Sequence, residues 1–241
     1  MSAVLRTAAS GTLAALLSAV AGAEPRCGPD ASTDASIRLE YAVTAARPPL
    51  ALSGDGVVTY QRSGDRYRMT SSLRALGLFE ARQESEGFVG GQGLVPHRFS
   101  NRSGNRPPHT VDFDWQAGRV TFGPSGTSEP IRDRMQDRLS LLLQLSWLHH
   151  ADSGAGRIEV PVAGRGRSSA YDFVARGAET LDLPGGRFET IRFERTRERG
   201  GEVLEVWLAT RLCSLPVQVR FTGDGGLVVE QRLRSAHPPV P

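Results

Sequence analysis

The side chains best suited to chemistry in this sequence form two short clusters of histidines and acids. The first cluster holds His149, His150 and Asp152, and imidazole and carboxylate groups are common metal ligands. Neighbouring residues on a helix point about 100° apart, so the two histidines cannot easily bind one ion. Histidines also suit the C-terminal end of a helix, where they interact favourably with its dipole. We therefore expect this cluster to end a helix, and we predict no metal and no other cofactor.

The second cluster is the pair Asp112 and Asp114 in "DFDW". On a strand the two carboxylates would share one face about 7 Å apart, within the range that glycoside hydrolases use. Acidic residues also alternate on the solvated face of many strands. A hydrolase of envelope material is therefore an alternative hypothesis only. The sequence predicts no catalytic residue, and whether the protein is an enzyme stays open.

The charged residues exclude several kinds of site. All 29 positive side chains are arginines, so a P-loop lysine, a Schiff-base lysine and a Ser-x-x-Lys acyl-transfer site are ruled out. The arginines alternate with the 26 acidic residues instead of forming a block of one sign. We therefore predict no binding of nucleic acid.

Aromatic and leucine side chains could line a cavity for an acyl chain or a peptide. Such residues also form the cores of most proteins, so both roles stay open. The candidate ligand-binding residues are Tyr41, Phe113, Trp115, Leu142, Leu145, Trp147, Tyr171, Phe173, Trp207 and Phe221.

The elements that must position these residues are mostly strands. Apolar and polar residues alternate in "IRLEYAV", and similar runs recur about every ten residues between tight turns. Pro96 makes its strand an edge strand or a bulged one. The pattern predicts a mainly β protein, an antiparallel meander curled into an open or half barrel. The predicted turns are Ser63-Gly64-Asp65, Gln116-Ala117-Gly118, Pro184-Gly185-Gly186, Gly200-Gly201 and Asp224-Gly225-Gly226.

The apolar segment "MQDRLSLLLQLSWLHH" predicts one helix, over Met135–His150. From Leu139 onward it is apolar nearly all round, so it must be covered on more than one side. We expect this central helix to pack against the concave face of the curled sheet. The alternative is a β-sandwich whose open end the helix caps.

The N-terminal residues 1–23 have the layout of a signal peptide, with cleavage after Ala23. Their apolar segment is shorter than the roughly 20 residues that span a bilayer. We expect residues 24–36 to be a flexible leader, 37–235 a single β-rich domain and 236–241 a loose tail. The mature protein is predicted to be periplasmic and soluble, without a stable membrane span.

The chain has two cysteines, Cys27 and Cys213. In an oxidising compartment two thiols more often pair than stay free, so they are candidates for a disulfide. The alternative is a buried free Cys213 and an unpaired Cys27.

Several segments together resemble the exported bacterial proteins grouped as domain of unknown function 3108. They are, in order, "GLVPHRF", "DFDW", "MQDRLSLLLQL", "YDFVARGAETLDLPGGRFETIRFER", "EVWLA" and "LPVQVRFTGDGGLVVEQRL", and the likeness covers residues 37–233. It implies a periplasmic antiparallel β-protein and offers no catalytic residues. More distantly the chain is similar to half-barrel lipoprotein carriers, whose curved sheet and helical lid enclose a lipid-binding cavity.

These observations favour a non-enzymatic binding or envelope-maintenance protein. Its hydrophobic groove would take a lipid, a lipoprotein or a glycan precursor, and its partner would be such a ligand or an envelope protein. Besides the hydrolase, the alternative is a structural module that binds proteins through a sheet edge.

Overall fold

The computed structural model describes residues 34–75, 79–196 and 202–237. The predicted signal peptide, Cys27 and the Gly200-Gly201 turn lie outside these residues. The strands are β1 (Asp34–Arg47), β2 (Leu50–Ser63), β3 (Arg66–Ala75), β4 (Phe79–Gly90), β5 (Gly93–Ser103), β6 (His109–Asp114), β7 (Arg119–Phe122), β8 (Thr127–Pro130), β9 (Gln136–Asp137), β10 (Arg157–Ala163), β11 (Ser168–Leu183), β12 (Gly186–Thr196), β13 (Val203–Ala209), β14 (Pro216–Thr222) and β15 (Val228–His237). The helix α1 spans Ser140–Ala151, and a 3₁₀ turn spans Asp224–Gly226.

The strands form one continuous sheet with two arms. The chain begins at β1 in the middle, and a first arm runs outward from β1 to β8. The second arm returns from β9 at the opposite edge to β15, which pairs with β1. All neighbouring pairs are antiparallel except the short β9–β10 pair. The prediction of an antiparallel meander is confirmed.

Turn residues fix most of the hairpins. β2 and β3 flank Gly64-Asp65, β6 and β7 flank Gln116 to Gly118, and β14 and β15 flank the turn at Asp224. Gly64 and Gly118 have φ near +60°, which glycine adopts without strain. The predicted hairpins that fall on described residues are therefore confirmed.

Pro96 lies at a β-bulge, as its sequence predicts. Gly87 pairs with Pro96 and Glu86 with Arg98, so His97 is the extra residue. A Cβ atom on Gly87 would lie 2.2 Å from the carbonyl oxygen of Val95, so only glycine fits there. The bulge bends β5, which is an interior strand of the sheet.

The helix begins five residues later than predicted, so the expected start at Met135 is wrong. Gln136 and Asp137 are extended and pair with Val162 and Ala163 of β10. The Asp137 carboxylate then accepts hydrogen bonds from the backbone N–H groups of Leu139 (2.8 Å) and Ser140 (2.9 Å). The helix therefore starts where the pairing with β10 ends.

The sheet curls around α1, because opposite faces of the helix pack on opposite arms. Leu139, Leu143 and Trp147 belong to the core cluster that includes the strands of the first arm. Leu141 and Leu145 belong to a second cluster built on β10 to β14. The expected open or half barrel, with a helix against its concave face, is confirmed, and the sandwich alternative is wrong.

Buried polar side chains join the start of the helix to the first arm. The Ser85 hydroxyl of β4 donates to the Asp137 carboxylate over 2.6 Å, and the Tyr67 hydroxyl lies 3.0 Å from the Ser85 oxygen. Because the only hydroxyl hydrogen of Ser85 points to Asp137, Tyr67 is the donor of the second bond. Burial raises the pKa of Asp137, and hydrogen bonds from Ser85, Ser140 and Leu139 oppose this shift.

Two glutamines complete this connection. The Gln136 side chain donates to the carbonyl oxygen of Leu94 in β5, and the Gln144 oxygen accepts from the Leu94 N–H, both over 2.8 Å. Gln144 also donates to the carbonyl oxygen of Gln92. We call this set the junction cluster: Tyr67, Ser85, Gln136, Asp137, Ser140 and Gln144.

Candidate functional site: an apolar cleft beside the helix

A small apolar cleft lies between α1 and strands β1 to β3. Its cavity volume is about 30 Å³, and it is partly open to the surface. Ile37, Val58 and Leu142 are half-buried and mark its mouth, whereas the other lining residues are buried. The lining residues are Ile37, Leu39, Tyr41, Val58, Tyr60, Met69, Leu139, Leu142, Leu143, Leu215 and Pro216.

The period-two alternation of strands and the helical repeat place these side chains together. Leu39 and Tyr41 face inward from β1, and Ile37 pairs across the sheet with Tyr60 of β2. Leu139 and Leu143 are one helical turn apart, so they face the same strands. The cleft is therefore built by the first arm and the first half of α1, and the Leu215-Pro216 segment closes one side.

Three tyrosines point inward near this cleft, and two of them form hydrogen bonds. Tyr41 donates to the carbonyl oxygen of Pro216 over 2.7 Å, and Tyr67 donates to Ser85. The Tyr60 hydroxyl forms no hydrogen bond with the other described residues and reaches solvent, although Tyr60 as a whole is only 5% exposed. Burial raises the pKa of Tyr60 to about 12 and raises that of Tyr41 as well. Both phenols are therefore protonated at neutral pH and able to donate.

Trp147 packs against one cleft residue and also lines a second pocket on the surface. Its ring lies edge-to-face on Tyr60, with ring centres 6.1 Å apart. The second pocket has a volume of about 420 Å³ and lies between α1 and the β4–β5 turn. Asp133, Arg134 and Gln144 contribute polar groups to this pocket.

The sequence candidates are not all brought together. Tyr41 and Leu142 line the cleft, and Trp147 lies beside it. Phe113 and Trp115 stack on each other in the core below β5, where the Trp115 indole donates to the carbonyl oxygen of Pro96.

The remaining candidates lie in the second arm or, for Leu145, on the face of α1 that packs against it. Leu145 and Phe173 are fully buried in the second core cluster, and Tyr171 packs at its edge. Trp207 lies beneath the Arg220 guanidinium and donates to Glu179 over 2.9 Å. Phe221 is half-buried near the end of β14.

The two aspartates of "DFDW" have structural contacts at the surface. Asp112 lies 3.7 Å from Arg98, and the Asp114 carboxylate accepts a hydrogen bond from the Ala117 N–H in the β6–β7 turn. Their side chains face away from Phe113, as the alternation predicts.

The histidines near the end of the helix point in different directions. His149 is buried against Phe193, whereas His150 and Asp152 are exposed. Burial lowers the pKa of His149, so its imidazole is neutral at neutral pH. Among the residues described, no group of three or more His, Cys, Asp or Glu side chains could hold a metal ion.

Most of the cleft residues were not predicted. Val58 and Tyr60 alternate in "GVVTYQR", which indicates an inward face, but nothing in the sequence shows what that face meets. Leu139 and Leu143 have the helical spacing, and only the path of the chain places them over β1 to β3.

Cys213 is not a free thiol. Its predicted partner Cys27 lies outside the described residues, so the pairing stays a prediction. No helix in the described part of the chain is long and apolar enough to cross a membrane.

The chain is similar to known proteins over most of its length. A crystal structure of a DUF1329 family protein from Desulfovibrio piger matches at 10% identity with a TM-score of 0.30, covering 86% of each chain. No curated protein matches the sequence significantly. A family model described as "Protein of unknown function (DUF3108)" matches residues 40–232, which confirms the resemblance seen in the sequence. The chain belongs to the DUF3108 family.

Proposed function

We propose that this protein is a non-enzymatic binding protein of the cell envelope that takes a single hydrocarbon chain into the apolar cleft. The observation that carries this proposal is the composition of the cleft. Every side chain at its mouth is aliphatic, and its buried wall consists of leucines, two tyrosines, one methionine and one proline. Such a surface gains free energy when it covers apolar groups, at about 25 cal/mol per Å² removed from water.

The volume of the cleft sets a condition on this function. About 30 Å³ holds little more than one water molecule, so a hydrocarbon chain enters only if side chains move. Leu142 is the side chain best placed to move, because it is half-buried at the mouth and only partly packed against the second core cluster. Binding would then select a more open state of the cleft.

The proposal is tested by native mass spectrometry of the purified full chain and by titration with the dye N-phenyl-1-naphthylamine. We expect co-purified acyl material, or a dye complex that long-chain alcohols displace. In Leu142→Trp the larger ring fills the mouth, so dye binding should fall at least tenfold while the melting temperature stays close to that of the wild type.

The matched control is Leu204→Trp, at a half-buried leucine of the second core cluster that does not line the cleft. Its dye affinity should equal that of the wild type. The proposal is contradicted if Leu142→Trp and Leu204→Trp bind the dye equally well. It is also contradicted if the folded wild type carries no acyl material and binds no dye.

The nearly filled interior favours a second candidate, a structural module that binds another envelope protein. In that case the wild type is bare and binds no dye, and it captures a partner through its folded surface. The dye titration therefore separates the two functions.

Action in the periplasm is part of the proposal, and it rests on the signal-peptide pattern of residues 1–23. We expect the mature protein to begin at Glu24 and to be released with the periplasmic fraction. A chain that retains Met1 in the cytoplasm contradicts this part alone.

A further inference from the structure

A depression of about 420 Å³ lies on the outer face of the first arm, over strands β1 to β4. Its lining combines the short hydroxyl side chains of Thr59, Thr70 and Ser72 with four long arginine side chains. Both threonines alternate along their strands with cleft residues, Tyr60 and Met69, so the depression and the cleft lie on opposite faces of the sheet. The four arginines are Arg38, Arg68, Arg74 and Arg82.

Two of these arginines have a carboxylate partner of their own. Hydrogen bonds join Arg38 to Glu40 over 2.9 Å and Arg68 to Glu84. The remaining two form no hydrogen bond with any residue in the described ranges, and their side chains are largely exposed. Their N–H groups are therefore available to a ligand.

These two arginines, Arg74 and Arg82, converge on one position. A terminal nitrogen of Arg74 lies 3.5 Å from Glu80 Oε1, and a terminal nitrogen of Arg82 lies 3.7 Å from the same oxygen. One acceptor oxygen is thus within reach of both guanidinium groups. Because both contacts are long and the Glu80 side chain is 50% exposed, this carboxylate is held weakly and a better acceptor can displace it.

Hydroxyl groups beside this position supply further donors. Ser72 lies directly across from Arg82 in the β3–β4 pair, and its hydroxyl forms no hydrogen bond within the part of the chain that the structure describes. The hydroxyl oxygens of Thr59 and Thr70 lie 2.6 Å apart, so one hydroxyl hydrogen joins them and the second remains free to donate. The depression therefore presents guanidinium and hydroxyl donors together.

The charge of the depression favours an anion. Four arginines stand against three glutamates in and around it, which leaves an excess of one positive charge. The glutamates are Glu40, Glu80 and Glu84. Asp55 lies across from Arg74, but it has its own partner in Arg234, 2.8 Å away.

A phosphate group matches these donors better than a carboxylate does. It carries a charge of about −1.5 to −2 at neutral pH and presents three acceptor oxygens. The planar guanidinium fork binds phosphate oxygens in pairs, which gives stronger hydrogen bonds than neutral donors form. A carboxylate such as Glu80 offers two oxygens and a single charge.

We propose that this depression is a binding site for a phosphate group, carried by a lipid head group or by a soluble compound. Arg74 and Arg82 are its main donors, Ser72 adds a hydroxyl, and the phosphate group displaces Glu80 from between the two guanidinium groups. The site lies on the face of the sheet opposite the apolar cleft, so this inference does not depend on the binding of hydrocarbon.

The test is a titration of the purified protein with inorganic phosphate at constant ionic strength, followed by NMR at the backbone amides of β3 and β4. We expect saturable shifts, and Arg74→Gln and Arg82→Gln should each weaken binding roughly fivefold. Glu80→Gln should tighten binding roughly threefold, because it removes the charge of the competing carboxylate. The matched control is Arg157→Gln, at an exposed arginine paired with Asp172 in the second arm, and it should keep the wild-type affinity.

Vesicles distinguish the two sources of the phosphate group. Co-sedimentation with vesicles of phosphatidylglycerol and phosphatidylcholine, but not of phosphatidylcholine alone, and its loss in Arg74→Gln, indicate a lipid head group. Binding of inorganic phosphate without co-sedimentation indicates a soluble compound.

Three results overturn the inference. The first is the absence of saturable shifts in the wild type. The second is a wild-type affinity for phosphate in both Arg74→Gln and Arg82→Gln, or an equal loss in Arg157→Gln, which shows a general effect of charge. The third is a Glu80→Gln variant that binds phosphate no more tightly than the wild type. All four side chains are exposed, so the melting temperatures of the variants should stay close to that of the wild type.

Discussion

The junction cluster and the Tyr60–Trp147 pair lie next to each other on the same side of the helix, with Tyr67 stacked on Tyr60 at 6.4 Å between ring centres, but they differ in hydrogen bonding. In the junction cluster the Asp137 carboxylate accepts three hydrogen bonds, and Gln144 forms bonds with both its oxygen and its nitrogen. The exception is the Gln136 oxygen, which has no partner. Tyr60 and Trp147 form no hydrogen bonds among the described residues.

This difference separates polar groups that hold the fold together from those that do not. A buried donor or acceptor without a partner costs about 1–3 kcal/mol, so a protein gains stability by pairing it. The junction cluster follows this rule because it joins the end strand β9 to β4 and β5 across the curl of the sheet. The donors of Tyr60 and Trp147 reach solvent, so water satisfies them and they contribute little to stability.

The largest effect is expected at the centre of the junction cluster. Asp137→Ala leaves three buried donors without an acceptor, and we expect the free energy of unfolding to fall by about 3–5 kcal/mol. Urea denaturation measures the loss. Asp112→Ala, at an exposed aspartate 3.7 Å from Arg98, is the control and should cost less than about 1 kcal/mol. Similar losses in both variants would remove the distinction between the two regions.

A smaller effect is expected from removing single hydroxyl groups. Tyr41→Phe removes a buried hydrogen bond to the Pro216 carbonyl oxygen, so stability should fall by about 1–2 kcal/mol. Tyr60→Phe removes a hydroxyl without a partner, so the ligand-free protein should keep its stability or gain slightly. Thermal melts of the delipidated protein measure both. A loss in Tyr60→Phe as large as in Tyr41→Phe would show that the Tyr60 hydroxyl already serves the fold.

The smallest expected effect is the pH dependence of stability that Asp137 causes. Hydrogen bonds to its carboxylate lower its pKa and so oppose the increase that burial causes. Burial raises the folded-state pKa above the ordinary value of 3.8. The folded protein therefore favours the protonated form of Asp137 more than the unfolded chain does. The free energy of unfolding then decreases as the pH rises through the folded-state pKa. The stability of the wild type relative to Asp137→Asn should fall as the pH rises from below 3.8 through the folded-state pKa of Asp137. Urea denaturation of both proteins across this range measures it, and a rise would contradict the prediction.

Local chemistry explains which parts of the fold could be predicted. The turns at Gly64, Gly118 and Asp224 depend on residues within the turn itself, and the apolar segment around Leu141 needs burial wherever it lies. The start of α1 could not be predicted, because Gln136 and Asp137 are held extended by β10 and by Ser85, which are far away in the sequence.

The candidate site divides in the same way. Tyr41, Leu142 and Trp147 were among the predicted ligand-binding residues and lie in or beside the cleft, but Phe173 and Leu145 are in the second core cluster. Residue type shows that an aromatic side chain will be buried. It does not show which other side chains it will meet, so the alternation that turns Tyr60 inward did not predict its contact with Trp147.

The sequence by itself determined the strands, most turns, the presence of a central apolar helix and membership of the DUF3108 family, since each depends on short-range patterns or on their order. Only the tertiary structure decided which faces meet across the curled sheet. Loop closure over long separations brings the end strand β9 to β5 and sets Trp147 against Tyr60, and no local pattern specifies those meetings.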